Sequence, residues 1–389
     1  MKTLANIPLS RICLGGENDL SGYRYALMTG DYIRPSTRIS DGPHYNFLQK
    51  YNQLGAEVFL QHNFETSEYY LNALKCIDLF GEYFPGIDSP EKIVHAAQRF
   101  IALYEGKNVS NFSSAGHSAD DEPIEVRRIQ GSSCYQLVQG NHRCAFALAK
   151  QETEIQALIH EDKSEVTPIQ FLLDHLSWEQ GEKHLYQPIP VPELEDEWSL
   201  VRGCQDRFAL MLDFLTLIGF TKVADQLKII DIGAYFGWFM NEFDRQGFNV
   251  FGLEKDNIPT LIAQICYPRL KGRIFAAEAG RHLEQHPEKY DVTLCLSIMH
   301  HMFYGRTKVD PVAFLKTIDA CTKHVLFFEM GDENELWFKD LLKGWNPATI
   351  ANWIISNSSF SKVVYLGKDQ DGKGSFTGNF NRTLFAFLK

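Results

Sequence analysis

The chain has 389 residues, of which 44% are hydrophobic and 22% are charged, and its formal net charge is −11. This length suits two hydrophobic cores, and the composition is that of an ordinary globular protein. The acidic charge repels polyanions at long range, which argues against a nucleic-acid partner. No apolar run reaches the length of a signal peptide or a membrane span, so we expect a cytoplasmic protein with no membrane partner. The eight cysteines include no Cys-x-x-Cys pair, which predicts reduced packing residues and no metal site.

A turn near residue 140 is the first informative feature in chain order. Residues 123–139 predict two strands joined by a turn, and a tight Gly-Asn turn then leads into a helix that begins near His142. A helix N-terminus that is preceded by a glycine and carries an arginine suits a phosphate group. The competing interpretation is a hairpin corner with a solvent-exposed arginine, and the sequence leaves both open.

The residues of this turn also carry a family resemblance. The pattern Tyr-x-x-x-x-Gly-Asn-His-Arg resembles the ParB/sulfiredoxin-like domains, in which a Gly-x-His-Arg turn binds the phosphates of a nucleotide. The resemblance implies an α+β domain over residues 1–165, with Gly140, His142 and Arg143 as phosphate-binding residues and a nucleotide as a second ligand. No helix-turn-helix segment follows, and Asn141 stands where sulfiredoxins carry a cysteine. Neither DNA partitioning nor sulfinic-acid repair is therefore expected.

A linker is predicted between the two halves of the chain. Residues 167–178 have apolar positions on one helical face, and residues 187–197 contain three prolines and an acidic run. We therefore assign residues 166–197 to a helical and proline-rich linker and residues 198–389 to a second domain. Apolar positions at helical spacing over residues 200–218 predict a long amphipathic helix at its start. Arg202, Asp206 and Arg207 are expected on the solvated, salt-bridged face of that helix, with contact to a substrate as the alternative.

Residues 231–237 are the most informative part of the chain. They follow an apolar run and have the sequence Asp-Ile-Gly-Ala-Tyr-Phe-Gly. This pattern predicts a strand that ends in a glycine turn, followed by a helix near residues 238–246, which is where α/β folds hold a nucleotide-like cofactor. The next strand ends in Glu254, about where a ribose-binding acid falls in a βαβ unit. Tyr235 stands at the second glycine of the dinucleotide fingerprint, which disfavours nicotinamide and flavin cofactors.

With the strands that follow, the pattern Asp-x-Gly-x-x-x-Gly resembles motif I of the class I S-adenosylmethionine-dependent methyltransferases. The resemblance covers about residues 198–389. It implies an α/β fold with a Rossmann-like seven-stranded sheet, in addition to the N-terminal α+β domain. It also implies S-adenosylmethionine as the cofactor, bound by motif I and by residues after the second, third and fourth strands: Asp231, Gly233, Ala234, Tyr235, Gly237, Glu254, Glu278 and Ser297.

The later segments suggest where the acceptor binds. Strands are expected at residues 273–277, 290–296, 324–330, 362–367 and 383–388, with a helix near residues 335–342. The ending Leu-Ser-x-x-His-His after the fourth strand resembles motif IV of small-molecule methyltransferases. Either His300 or His301 could take a proton from the acceptor, and because adjacent helical residues point in different directions, we expect at most one to face it. The aromatic and Pro-Cys motifs of DNA methyltransferases are missing, which disfavours nucleic-acid bases as substrates.

Three functions remain open. The first is a methyltransferase that acts on an oxygen or nitrogen of a small molecule or saccharide-like metabolite. The second is a bifunctional protein whose N-terminal domain binds or transfers a phosphate while the C-terminal domain methylates the same substrate. The third is a regulatory protein that binds S-adenosylmethionine without turnover, because a fold does not guarantee its chemistry. The sequence does not indicate the oligomeric state.

Overall fold

The computed structural model describes residues 1–15, 35–55, 59–83, 86–107, 122–176, 183–305, 307–335 and 338–389. The described chain divides into two compact units: unit 1 comprises Met1–Phe171 and Val191–Glu197, and unit 2 comprises Leu172–Pro190 and Trp198–Lys389. The segment assigned to a linker, residues 166–197, is therefore shared between the two units. Among the described residues, no helix combines the length and apolar character needed to cross a bilayer.

Unit 1 contains a five-stranded mixed sheet in the order β1-β5-β3-β4-β2. The central strand β3 runs parallel to β5 and antiparallel to β4, and the edge strand β2 runs parallel to β4. The buried positions of β3 alternate at its start, as expected for a strand with one face on a core. The strands are β1 (Lys2–Pro8), β2 (Ile12–Cys13), β3 (Ile124–Ile129), β4 (Tyr135–Gln139) and β5 (Glu154–Glu165).

The helices of unit 1 form an aromatic core of their own. Phe47, Tyr69 and Phe100 are almost fully buried there and lie within ring-contact distance of one another. Stacked and edge-on aromatic pairs of this kind add to the free energy of burial. The helices are α1 (Pro43–Leu54), α2 (Glu68–Phe80), α3 (Pro90–Tyr104), α4 (Asn141–Ala149) and α5 (Pro168–Leu176), the last of which continues into unit 2.

Unit 2 contains the predicted seven-stranded sheet, in the order β10-β9-β8-β11-β12-β14-β13. Among the strands described in this sheet, β14 runs opposite to the other six, so its pairings with β12 and β13 are antiparallel. Counted within the sheet in chain order, the strands therefore lie 3-2-1-4-5-7-6. They are β8 (Lys228–Ile232), β9 (Asn249–Glu254), β10 (Ile274–Ala276), β11 (Tyr290–Leu296), β12 (Thr322–Glu329), β13 (Lys362–Lys368) and β14 (Thr383–Leu388). A short two-stranded sheet joins β6 (His184–Leu185) to β7 (Ser199–Leu200).

Helices cover the parallel strands of unit 2. They are α6 (Gln205–Leu217), α7 (Trp238–Arg245), α8 (Asn257–Cys266), α9 (Ala279–Gln285), α10 (His300–Phe303), α11 (Pro311–Cys321) and α12 (Pro347–Ser356). The prediction of a helix near residues 335–342 was wrong for the part that is described. Residues 338–344 form turns, and the next helix is α12. Its N-cap, Asn346, accepts a hydrogen bond from the backbone of Thr349, which fixes the later start.

The position of the site follows from this strand order. Strand β8 pairs with β9 on one side and with β11 on the other. The strands that follow β8 in the chain, β9 and β10, therefore lie on one side of it, and β11 and the later strands lie on the other. In open α/β sheets, ligands bind beyond the carboxyl ends of the strands at such a switch point. The carboxyl ends of β8, β9 and β11 carry the predicted residues Asp231, Glu254 and Ser297.

Candidate functional site

The loop after β8 has the conformation of a ligand cradle. Gly233, Tyr235 and Gly237 have φ of 75°, 52° and 74°, all in the left-handed region. A Cβ atom on Gly233 would lie 2.5 Å from Cδ1 of Ile298, so the Ile298 side chain would have to shift to admit it. The amides of Gly233 and Ala234 both donate to the carbonyl of Leu253 in β9, at 2.7 and 3.0 Å. The loop is therefore held close to the end of the neighbouring strand β9.

Asp231 is a buried carboxylate that lacks a full set of partners. Its side chain is 3% exposed, and its Oδ2 accepts no hydrogen bond from the residues that the structure describes. Burial, and secondarily the charge of Glu254, raise the pKa of Asp231 to about 7. A buried acceptor without a donor costs free energy unless a ligand supplies one. This atom is therefore suited to a ligand that brings a hydroxyl or ammonium donor.

Glu254 connects the cradle to the next loop. Its Oε2 accepts from the backbone N–H of Tyr235 at 3.1 Å, and its Oε1 accepts from that of Asp256 at 3.0 Å. Each carboxylate oxygen has a second lone pair, so these bonds leave capacity for ribose hydroxyls. Burial raises the pKa of Glu254 as well. Two buried carboxyl groups that interact in this way favour a ligand carrying positive charge.

The other predicted cofactor residues differ in their surroundings. Glu278 is exposed and acts as the N-cap of α9, because its carboxylate accepts from the amides of Gly280 and Arg281 at 3.1 and 2.8 Å. Ser297 is half-buried with φ of 60°, directly after β11. Its Oγ donates to Glu329 at 3.2 Å. The hydroxyl of Ser297 thus faces a group of charges that the sequence did not predict.

That group is a buried arginine–carboxylate cluster. Arg202 donates from Nε to Asp371 at 2.9 Å, and Arg207 donates from Nη1 to Glu329 at 2.9 Å. Arg382 donates to Glu329 at 3.2 Å. All members are at most 4% exposed: Arg202, Arg207, Glu329, Glu335, Asp369, Asp371 and Arg382. Buried ions of this kind need complete pairing, because each one is costly to remove from water.

The cluster corrects one expectation and sets the charge of the site. Arg202 and Arg207 were predicted on a solvated face, which was wrong: they are 0% and 1% exposed, because their partners lie in distant segments that fold over them. Burial acts to raise the pKa of Glu329, but the three arginine charges hold it well below its usual range. Burial, together with the charge of Glu329, raises the pKa of Asp369 to about 7. The cluster is therefore close to neutral.

The two candidate catalytic histidines have different environments. His300 is 3% exposed, its Nδ1 accepts from the amide of Gly331 at 3.4 Å, and burial with the nearby charge of Arg382 holds its pKa well below the usual range. His301 is half-buried, and its Nδ1 hydrogen-bonds to the hydroxyl of Tyr304. Of the two, His301 is the better placed to exchange a proton with a bound molecule.

Two side chains from the segment before β7 also reach this region of unit 2. Oε1 of Gln187 accepts from the amide of Trp238, the first residue of α7, at 3.4 Å. The hydroxyl of Tyr186 accepts from Arg202 at 3.1 Å, and its ring lies 6.1 Å from that of Tyr235. Sequence reasoning placed both in a linker, since no local pattern shows that a chain segment returns to a helix N-terminus about fifty residues later.

In the predicted phosphate-binding turn of unit 1, the side chains of His142 and Arg143 already contact other residues of the unit. Nη1 of Arg143 donates to the backbone carbonyls of Glu122 and Pro123, the latter at 2.9 Å. The ring of His142 packs 4.4 Å from Phe100, and burial holds its pKa well below the usual range. A Cβ on Gly140 would lie 2.5 Å from Ile124, so packing alone accounts for this glycine.

Comparisons with known proteins find that parts of this chain are similar to methyltransferases. No protein-family model matches the chain. A ubiquinone biosynthesis O-methyltransferase from Aliivibrio fischeri is 27% identical over 105 residues, 26% of this chain and 42% of that protein. The protein of the same name from Yersinia pestis is 24% identical over 115 residues, 28% of this chain and 45% of that protein. The matched region thus spans less than half the length of these curated relatives.

Solved structures of two further methyltransferases resemble the chain more distantly. The bifunctional kinase-methyltransferase WbdD shares 16% identity at a TM-score of 0.43 and covers 55% of this chain and 45% of its own. Magnesium protoporphyrin IX methyltransferase from Synechocystis shares 16% identity at a TM-score of 0.35, covering 48% of this chain and 79% of its own. By its sequence relatives and the strand order of unit 2, the chain is similar to class I S-adenosylmethionine-dependent methyltransferases.

Proposed function

We propose that unit 2 binds S-adenosylmethionine and transfers its methyl group to an oxygen or nitrogen of a small molecule or saccharide-like metabolite. The observation that carries this proposal is the buried Oδ2 of Asp231, which lacks a donor among the described residues at the switch point of the sheet. A ligand that supplies a donor there would remove the cost of burying the atom.

The residues present fit this cofactor. S-adenosylmethionine carries a sulfonium, an ammonium and two ribose hydroxyls, and the cradle offers the buried carboxylates of Asp231 and Glu254. The left-handed glycines at 233 and 237 keep side chains away from the backbone where a ligand would lie. Exposed Glu278 is assigned the adenine side of the site only through its place after β10. When bound, the cofactor supplies an activated methyl group, so positioning of the acceptor provides much of the rate.

The acceptor is assigned to the region beyond β11. Ser297 and His301 are half-buried there, next to the arginine–carboxylate cluster. The cluster contains three arginines and four carboxyl groups, so it provides no surplus positive charge for an anionic acceptor. This balance favours a neutral hydroxyl or amine. We propose that His301 accepts its proton and that His300, bonded to the amide of Gly331, positions the turn.

The bifunctional alternative requires a nucleotide at residues 140–143 of a ParB/sulfiredoxin-like unit 1. The mixed parallel and antiparallel sheet of unit 1, with its helices, is compatible with such a domain. The side chain of Arg143, however, already donates to two backbone carbonyls. Titration with ATP provides the test, using the wild type and an Arg143→Ala variant that remains folded. Saturable binding that is lost in the variant would support the alternative, and no binding would remove it.

Transfer of a labelled methyl group tests the main proposal. The full chain is incubated with methyl-labelled S-adenosylmethionine and a fractionated small-molecule extract, beside His301→Gln and the surface control His286→Gln. We expect a labelled product with the wild type and the control, and strongly reduced labelling with His301→Gln. Cofactor binding without any labelled product would instead favour the regulatory alternative, in which unit 2 senses S-adenosylmethionine.

A further inference from the structure

Two cysteines of unit 1 lie side by side although they are far apart in the sequence. Cys13 is in the edge strand β2, and Cys134 directly precedes β4, its only partner strand in the described sheet. The parallel register places Cys13 opposite Gln136, so Cys13 and Cys134 project from the same face, offset by two positions. With Ile129 they form a small buried cluster that is separate from the main cores.

The surroundings divide the two thiols into a nucleophile and a partner. The interaction with the Cys13 thiol and the nearby Arg11 lower the pKa of Cys134 to about 6, whereas the interaction with Cys134 and burial raise the pKa of Cys13. Arg38 stabilises negative charge at this pair, and the buried carboxyl of Glu193 opposes it at Cys13. A thiolate next to a second thiol, with an arginine nearby, is the arrangement that undergoes thiol–disulfide exchange.

We propose that Cys13 and Cys134 are a redox modification site at which a low-molecular-weight disulfide such as oxidised glutathione forms a reversible Cys13–Cys134 disulfide. The Cys134 thiolate attacks one sulfur of the glutathione disulfide, giving a mixed disulfide and one glutathione thiolate. Cys13 then loses its proton to solvent and attacks Sγ of Cys134, which releases the second glutathione thiolate. Two protein thiols are oxidised and one glutathione disulfide is reduced to two thiols.

Disulfide exchange at the buried pair requires the edge of the sheet at β2 to open. Both thiols are at most 2% exposed, so the reagent enters only when the edge of the sheet opens. β2 has two residues and pairs with a single strand of the described sheet, although Cys13 also forms an isolated bridge with Arg38. Short edge elements of this kind open at low cost in free energy. The same opening allows the offset thiols to approach bonding geometry.

Thiol mapping tests the proposal on the folded full chain. The protein is equilibrated with glutathione buffers of increasing oxidised fraction, quenched with acid, alkylated in denaturant and digested for mass spectrometry. We expect the number of titratable thiols to fall from eight to six, a linked peptide pair containing Cys13 and Cys134, and full recovery with dithiothreitol. Eight remaining thiols in the most oxidising buffer would overturn the proposal, as would a stable glutathione adduct without the linked pair.

Variants provide a second measurement. Cys13→Ser is expected to leave a mixed disulfide of glutathione on Cys134, whereas Cys134→Ser is expected to slow the modification of Cys13 at least tenfold. Cys266→Ser, at a half-buried thiol of unit 2, is the matched control and should retain the linked pair. Circular dichroism verifies folding. Equal modification rates at Cys13 and Cys134 in the single variants would contradict the division of roles.

Discussion

The substitution Asp231→Asn tests the function of the buried carboxylate through stability as well as binding. Asn keeps the shape of the side chain and removes its charge. The pKa of Asp231 is raised from 3.8 to about 7, a shift that corresponds to about 4 kcal/mol of differential free energy when the group is ionised. A raised carboxyl pKa destabilises the fold progressively as the pH rises from about 4 to about 7, and by a constant amount above that.

The expected result follows from two opposing terms. Removing the charge returns about 4 kcal/mol above pH ~7, while a buried amide without partners costs about 1–3 kcal/mol. We therefore expect the variant to be more stable than the wild type by about 1–3 kcal/mol at pH ~8, and less stable by about 1–3 kcal/mol near pH ~4, where the charge term is absent and only the cost of the buried amide remains. The same variant should lose most of its affinity for S-adenosylhomocysteine, because the ligand no longer meets a carboxylate.

The assay is urea unfolding at several pH values, monitored by hydrogen exchange of peptides from β8 and β11. With these peptides as the readout, the measured stability is that of unit 2 alone. Asp319→Asn is the matched control with the opposite sign. Asp319 accepts from the amide and hydroxyl of Ser359 at 2.9 and 2.7 Å, and these bonds help lower its pKa against the effect of burial. Asp319→Asn should lose stability at high pH. A loss of stability in Asp231→Asn at pH ~8 would contradict the destabilising effect of the buried charge, and wild-type affinity in that variant would contradict the role of Asp231 in binding.

Three further predictions concern the cradle, the cluster and the core of unit 1. Gly233→Ala should weaken S-adenosylhomocysteine binding about tenfold or more, because the added Cβ meets Ile298 in the loop after β11. Gly272→Ala is the control: Gly272 also has a positive φ, 73°, but open space around its Cα, so this variant should carry only the backbone strain of about 1–2 kcal/mol. Equal affinities of the two variants in calorimetry would contradict the role of this contact. Glu329→Gln should destabilise unit 2 by about 3–5 kcal/mol, because it leaves buried arginines short of a counter-charge; an unchanged urea midpoint would show that the cluster is not tightly coupled. Burial lowers the pKa of His44 to about 3, so this side chain should reduce the stability of unit 1 by about 1.4 kcal/mol per pH unit as the pH falls below ~6.5, in addition to the effect of buried His142. His44→Phe should lower the slope by about that amount, and an unchanged slope would contradict the prediction.

The parts of the site that sequence could predict are those formed by neighbouring residues. A buried strand, a glycine turn and a helix follow one another within residues 228–245, so their chemistry is visible locally. The seven-stranded sheet followed from the order of apolar runs and from the motif I resemblance. Its strand ends were predicted to within about two residues because each run is bounded by turn formers.

The arginine–carboxylate cluster could not be predicted in this way. Arg202 bonds to Asp371, 169 positions away, and Arg207 bonds to Glu329, 122 positions away. On a helix, Arg207 looks like any solvated arginine, and its partners at the end of β12 and after β13 are visible only in the folded chain. Tyr186 and Gln187 were missed for the same reason, since a proline-rich segment carries no periodic signal.

Calorimetric titration of the full chain with S-adenosylhomocysteine is the direct test of cofactor binding by the loop after β8. We expect saturable binding at one site per chain, lost in Asp231→Asn and retained in Asp319→Asn. No binding by the folded wild type would contradict the assignment of the cradle after β8 to S-adenosylmethionine.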